Sequence, residues 1–141
     1  MGLVYAEISL TSEEDLSMVR KHLMDQDEVR KMNISCLVDS GAYPLCINEN
    51  IQEYLQLPFM YKKESQTADG RWVESDVVGP VHVEFEGLIC SCPALVLPGG
   101  SEPLLGAIPM EMLDLIISPF EQKVVLNLAS KRHQPLQYRW Q

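Results

Sequence analysis

The stretch Cys36-Leu37-Val38-Asp39-Ser40-Gly41-Ala42 carries an apolar run into a carboxylate, a hydroxyl and two small residues. An apolar run that stops at Asp-Ser-Gly reads as a strand entering a tight turn, because Gly41 reaches backbone angles closed to other residues and lets another segment approach. Asp39 then stands at the turn on a rigid support. A carboxylate placed so either caps its own backbone or is a chemical group that the strand is there to position. The tripeptide alone leaves both readings open, so the rest of the chain has to be read around it.

Upstream, Met32 to Val38 alternates and then becomes wholly apolar, as a strand does on passing from a half-exposed edge to a buried centre. Residues 2–10 give an earlier strand, with Leu3 and Tyr5 alternating and a slip of phase before Ile8 and Leu10. Thr11 and Ser12 ahead of Glu14 and Asp15 read as a helix N-terminus, and Leu16, Val19 and Leu23 would share its narrow apolar face. This helix or solvated excursion extends to about Asp27 and is not expected to carry catalysis.

Downstream, Pro44 to Ile47 reads as a short strand, and Asn48 caps a helix with Ile51, Tyr54 and Leu55 on its inner side, ended by Pro58. From Phe59 to Leu97 the pattern is strands punctuated by Gly and Pro. Asp69-Gly70 predicts a two-residue hairpin turn between the polar arms 65–68 and 71–74, since both residues tolerate left-handed angles. A polar hairpin is either a plain exposed connection or a mobile cover over a cleft. Further core strands turn at Gly79-Pro80, Glu86-Gly87 and Pro98-Gly99-Gly100. Leu104-Leu105-Gly106-Ala107 follows. Pro109 then opens a helix that takes its apolar contacts from Met110, Leu113 and Leu115, and a last strand runs over 124–128.

The chain has 141 residues, 46% of them hydrophobic, which suits one domain that buries about two-thirds of its unfolded surface. A formal charge of −9 repels phosphate backbones, so no nucleic acid is expected as a partner. No apolar run approaches the ~20 residues that span a bilayer. The N-terminus lacks the basic lead of a signal peptide, and Ala6 stands where a myristoylation motif wants a hydroxyl. No membrane association is expected, and the location is expected to be cytoplasmic. Cys36, Cys46, Cys90 and Cys92 are then reduced structural thiols, with Cys90 and Cys92 on one face of a strand. Their spacing does not suit a metal site, so neither metal nor cofactor is expected. His22, His82 and His133 show no repeated spacing and receive no role. The tail over 129–141 is expected to be loosely held.

Taken in order, these landmarks resemble the retropepsin-like aspartic proteases, particularly their small single-lobe bacterial and archaeal members. The resemblance rests on Leu37-Val38-Asp39-Ser40-Gly41-Ala42 and on Leu104-Leu105-Gly106 before a helix, and it covers the chain from the first strand to about Leu128. It implies a mainly β fold, a closed β-barrel or sandwich of one lobe with one or two short helices, in a single domain over 1–141. It makes Asp39 the catalytic aspartate, Ser40 the hydroxyl that locks two active-site loops together, and Gly41 the residue that keeps the loop close. Ala68, Asp69, Gly70 and Arg71 would match the tip of a flap over bound peptide, and Ala42 and Leu105 would line substrate pockets. Departures are Ser40 where Thr is commoner, Tyr43 where viral members carry an acid, a single glycine in the flap, and a longer insert over 11–31.

The resemblance implies an endopeptidase acting on peptide or protein. General acid–base hydrolysis by this route needs two carboxylates, one to accept a proton from water and one to donate to the carbonyl oxygen. The chain has a single Asp-Ser-Gly, so a symmetric homodimer would have to bring Asp39 beside its own copy, the two sharing one proton at ~3 Å. The alternative is a non-catalytic peptide-binding or dimerisation module on the same fold, and a third class is a metal or thiol-redox protein built on the cysteines.

Overall fold

A computed structural model describes residues 2–67, 69–118 and 120–127. The elements run β1 (Tyr5–Ser12), α1 (Glu13–Arg20), a 3-10 turn (Gln26–Glu28), β2 (Lys31–Val38), β3 (Leu45–Asn48), α2 (Glu49–Leu55), β4 (Phe59–Gln66) and β5 (Trp72–Phe85). They continue with β6 (Leu88–Leu97), β7 (Leu104–Leu105), α3 (Ala107–Met112), β8 (Leu115–Ser118) and β9 (Lys123–Leu126). The protein is mainly β with short helices, three α-helices among the described residues rather than one or two. None of them is long and apolar enough to cross a membrane.

Alternation builds the core. In β1 the even residues Ala6, Ile8 and Leu10 are buried, in line with Val4 before them, so the inward phase never slips; Leu3 and Tyr5 face outward, against the sequence expectation. In β2, Ile34, Cys36 and Val38 point inward. The largest sheet has the order β1-β2-β7-β3-β6-β5-β4, and an additional β1–β5 pairing joins the ends of its first six strands into a ring. Closure leaves β1 with a partner on each side, β2 through Ile8↔Ile34 and β5 through Leu10↔Val83. The ring's interior holds Leu10, Leu45, Ile47, Val81, Val83 and Leu105, all with no exposed surface.

Gly79-Pro80 reads in the sequence as a turn between strands, yet β5 runs through it. The register with β6 shifts between Val78↔Ala94 and Val81↔Cys92, so the pair marks a bulge rather than a turn. Gly79 adopts φ +130°, and a Cβ there would lie 3.0 Å from the Val81 nitrogen. Before the bulge β5 pairs with β4, and after it with β1. The bend hands one strand from the projecting β4–β5 hairpin to the ring. The two-residue turn with both residues left-handed, expected at Asp69-Gly70, occurs instead at Glu86-Gly87, with φ of +47° and +84° between the paired Phe85 and Leu88.

The helices are shorter than their apolar spacing suggested. In α1 the Ser12 hydroxyl accepts from the Asp15 N–H at 3.3 Å, and Glu13, Glu14 and Asp15 occupy the first turn. The helix ends at Arg20, so Leu23 falls beyond it and is 69% exposed. In α2 the Asn48 side chain caps the Ile51 N–H at 2.9 Å, and Ile51 and Leu55 are buried while Tyr54 faces solvent, correcting its inner placement. Left-handed Gln56 stops that helix ahead of Pro58. Leu115 belongs to β8 rather than to the last helix. Leu128, His133 and the tail over 129–141 lie outside the described residues.

Candidate functional site

The Asp39 turn joins β2 to β3, and β7 lies between those two strands, parallel to β2 and antiparallel to β3. A turn whose two arms are separated by a third strand cannot close on itself, so its backbone is held from the side. The Asp39 N–H donates to the Leu105 carbonyl at 3.0 Å, and the Ala42 N–H returns to the Asp39 carbonyl at 3.1 Å. Past β7, the N–H groups of Ala107 and Ile108, at the start of α3, donate to the carbonyls of Ala42 and Tyr43, each at 2.8 Å. Gly106 makes this approach possible, since a Cβ there would lie 2.2 Å from the Pro44 oxygen and under 3 Å from those of Ala42 and Tyr43. Leu104-Leu105-Gly106 thus works as a buried strut followed by a gap.

Asp39 is half-buried on this mount. Its Oδ1 accepts from the Gly41 N–H at 2.9 Å, which fixes the carboxylate over its own turn. Asp39 is also one of the residues lining a cleft of about 330 Å³ walled by Leu3, Val4, Val38, Ile117 and Gln122, where the chain start meets the β8–β9 hairpin. Ser40 and Gly41 are exposed at the tip of the turn, and Tyr43 is 73% exposed beside them. The structure therefore brings together Asp39, Ser40, Gly41, Ala42 and Leu105.

The flap candidates sit apart, at the end of the β4–β5 hairpin. Its last strand pair is Gln66↔Trp72, and Thr67 N–H to Arg71 carbonyl, at 2.8 Å, closes a turn longer than two residues. Among the described residues of that turn, Gly70 supplies the left-handed conformation, with φ +88°. The Asp69 carboxylate accepts from the Thr67 hydroxyl, the Arg71 N–H at 3.2 Å and the Arg71 Nε at 2.8 Å. The hydroxyl and the Arg71 N–H together lower its pKa below the ordinary aspartate value. Ala68 lies outside the described residues. Among the described residues no hydrogen bond or ion pair ties Asp69, Gly70 or Arg71 to Asp39.

The cysteines do not form a reactive centre. All four are buried, and none is in a disulfide. Burial, and then the charge of Glu7, push the Cys36 thiol up to about 12; burial and then the charge of Asp39 push Cys46 up to about 11, opposed by Lys63. The Cys92 thiol is raised by its contact with Cys90 and by burial. Protonated thiols are poor nucleophiles and poor metal ligands. Among the described residues no group of His, Cys, Asp and Glu is arranged to hold a metal ion.

Two features escaped sequence reasoning. His82 Nδ1 lies 3.0 Å from Glu13 Oε1, tying α1 to β5. Tyr61 and Lys63 line a pocket with Pro44 and Ile108, which brings the base of the hairpin to the far end of the Asp39 loop. Their period-two spacing on β4 was the available signal, hidden because every residue of that strand is exposed. Neither a known protein family nor a curated protein matches the chain.

Proposed function

We propose that the chain is a single retropepsin-like lobe and acts, as a homodimer, as an aspartic endopeptidase. The observation that carries this reading is the mount of Asp39: a residue at the exit of a buried strand, braced through its own N–H by the Leu105 carbonyl and bordering a cleft. A turn carboxylate with only a capping role needs no strut between its flanking strands. The ring closed by the β1–β5 pairing supports the barrel, and the exposed tip at Ser40 suits a contact with the same loop of a second copy.

In the dimer the ionised Asp39 of one protomer takes a proton from a water as its oxygen bonds to the peptide carbonyl carbon. The partner's Asp39, protonated, donates to the carbonyl oxygen. Collapse of the tetrahedral adduct breaks the C–N bond, and a carboxyl proton goes to the leaving amine, so no covalent enzyme intermediate forms. Ala42, half-buried beside Asp39, lines the substrate pockets, and the hairpin tip at 69–71 covers the bound peptide; Leu105, with no exposed surface, acts as the strut rather than as a pocket wall. Four buried cysteines with no disulfide among them suit a reducing compartment such as the cytoplasm.

The test is cleavage of an unstructured protein across acid to neutral pH by the native chain and by Asp39→Asn. The variant should lose at least roughly 10²-fold in rate, the lower end for a general acid–base group, and should keep its melting temperature. Cleavage that survives the substitution would sink the proposal.

A further inference from the structure

We propose that Lys63 and the pocket beneath the β4–β5 hairpin form a subsite that favours a glutamate side chain in the substrate peptide. This rests on the endopeptidase reading and adds to it a preference that Asp39 does not dictate.

Strand alternation separates the two neighbouring lysines of β4. Lys62 reaches Asp76 at 2.9 Å and Glu74 at 3.5 Å, so its charge is met on one face of the hairpin. Lys63 belongs to the other face with Tyr61. There the two line a pocket of about 90 Å³ with Pro44, Val77, Ala94 and Ile108. Among the described residues no carboxylate forms an ion pair with Lys63.

The pocket adjoins the Asp39 loop through two fixed points: Pro44 belongs to that loop, and the Ile108 N–H donates to the Tyr43 carbonyl at 2.8 Å. The Cys46 thiol lies 3.9 Å from the carbonyl oxygen of Pro44, a residue of the pocket, and feels both the Asp39 and the Lys63 charges.

The chemistry of the lining selects the occupant. Apolar walls at Val77, Ala94 and Ile108 accept methylenes, and a cation at the rim accepts a carboxylate. Glutamate supplies both in that order, whereas glutamine has the same shape without the charge. The net charge of −9 disfavours acidic peptides at long range, so a preference for glutamate has to arise locally.

The experiment compares kcat/KM for peptide pairs that differ by one Glu-to-Gln exchange, scanned across the positions flanking a cleaved bond. The native chain should favour glutamate roughly fivefold at one position, the size of an exposed ion pair. Lys63→Met should bring that ratio to about one, and Lys63→Glu should invert it in favour of a lysine peptide at the same position. A ratio of one everywhere in the native chain, or a preference retained in Lys63→Met, overturns the inference while leaving the protease. Absence of any cleavage that depends on Asp39 overturns the endopeptidase reading, and the subsite falls with it.

Discussion

Gly106 passes so close to Pro44 that a single added carbon would sit 2.2 Å from the Pro44 carbonyl oxygen, well inside van der Waals contact. The obstruction is backbone on three sides, since the Ala42 and Tyr43 oxygens also crowd that point, and backbone held by strands has no rotamer into which to retreat. Gly106→Ala should therefore cost about 1–3 kcal/mol in a urea titration, the range of an overpacked core site. If the Asp39 loop yields instead, stability recovers and peptide cleavage falls, so the two measurements together locate the strain. A variant unchanged in both would mean that the strut does not press on the loop.

Asn48 makes two bonds from one side chain. Its oxygen caps the Ile51 N–H at 2.9 Å, and its Nδ2 donates to the Ser101 carbonyl at 2.8 Å, tying the start of α2 to the loop that leads into β7. Asn48→Ala loses both in a buried position and should cost about 1–2 kcal/mol. Asn48→Asp keeps the cap but faces the Ser101 carbonyl with a second acceptor. Its urea midpoint should fall between those of the native chain and the alanine variant.

What sequence reading recovered was local chemistry. The Asp39 turn and the Asn48 cap each depend on residues that touch across a few positions, and both sit where their composition placed them, although the close backbone approach read at Gly41 falls at Gly106 instead. What it missed depends on distant partners. Gly79-Pro80 carries a strong turn signal, but β4, β1 and β6 all pair with β5 around it and hold the strand extended. Tyr54 shares a helical face with buried neighbours, yet α2 meets the ring only along Ile51 and Leu55. Lys62 and Lys63 look alike in sequence until the register pairs Lys62 with Asp76 and leaves Lys63 for the pocket.

Alkaline stability should report on the buried thiols. Cys46 and Cys36 hold their protons to about 11 and about 12, against 9.0 for a free thiol. Below the unfolded value both states are protonated, and the thiols' contribution is fully present. As pH rises past 9.0 the unfolded chain releases protons that the fold retains, so stability falls on the order of 1 kcal/mol per pH unit per thiol until the folded values are reached. Urea midpoints measured from neutral pH to about pH 10 should show this decline. Cys46→Ala, referred to its own neutral-pH midpoint, should show a shallower one; identical slopes would mean that Cys46 ionises as freely in the fold as outside it.

Dimerisation gives the last prediction, and it follows from counting carboxylates. One chain brings one Asp39 on its single Asp-Ser-Gly turn, so the proposed chemistry exists only where two copies meet. Cleavage per protomer should then rise with protein concentration below the dimer dissociation constant and level off above it, in step with the weight-average mass from sedimentation. Adding an excess of Asp39→Asn chains to a fixed amount of native protein should suppress activity, because mixed dimers hold a single ionisable carboxyl in the pair. Activity proportional to concentration for a species that sediments as a monomer would show that Asp39 works without its copy, and the shared-proton mechanism would have to be abandoned.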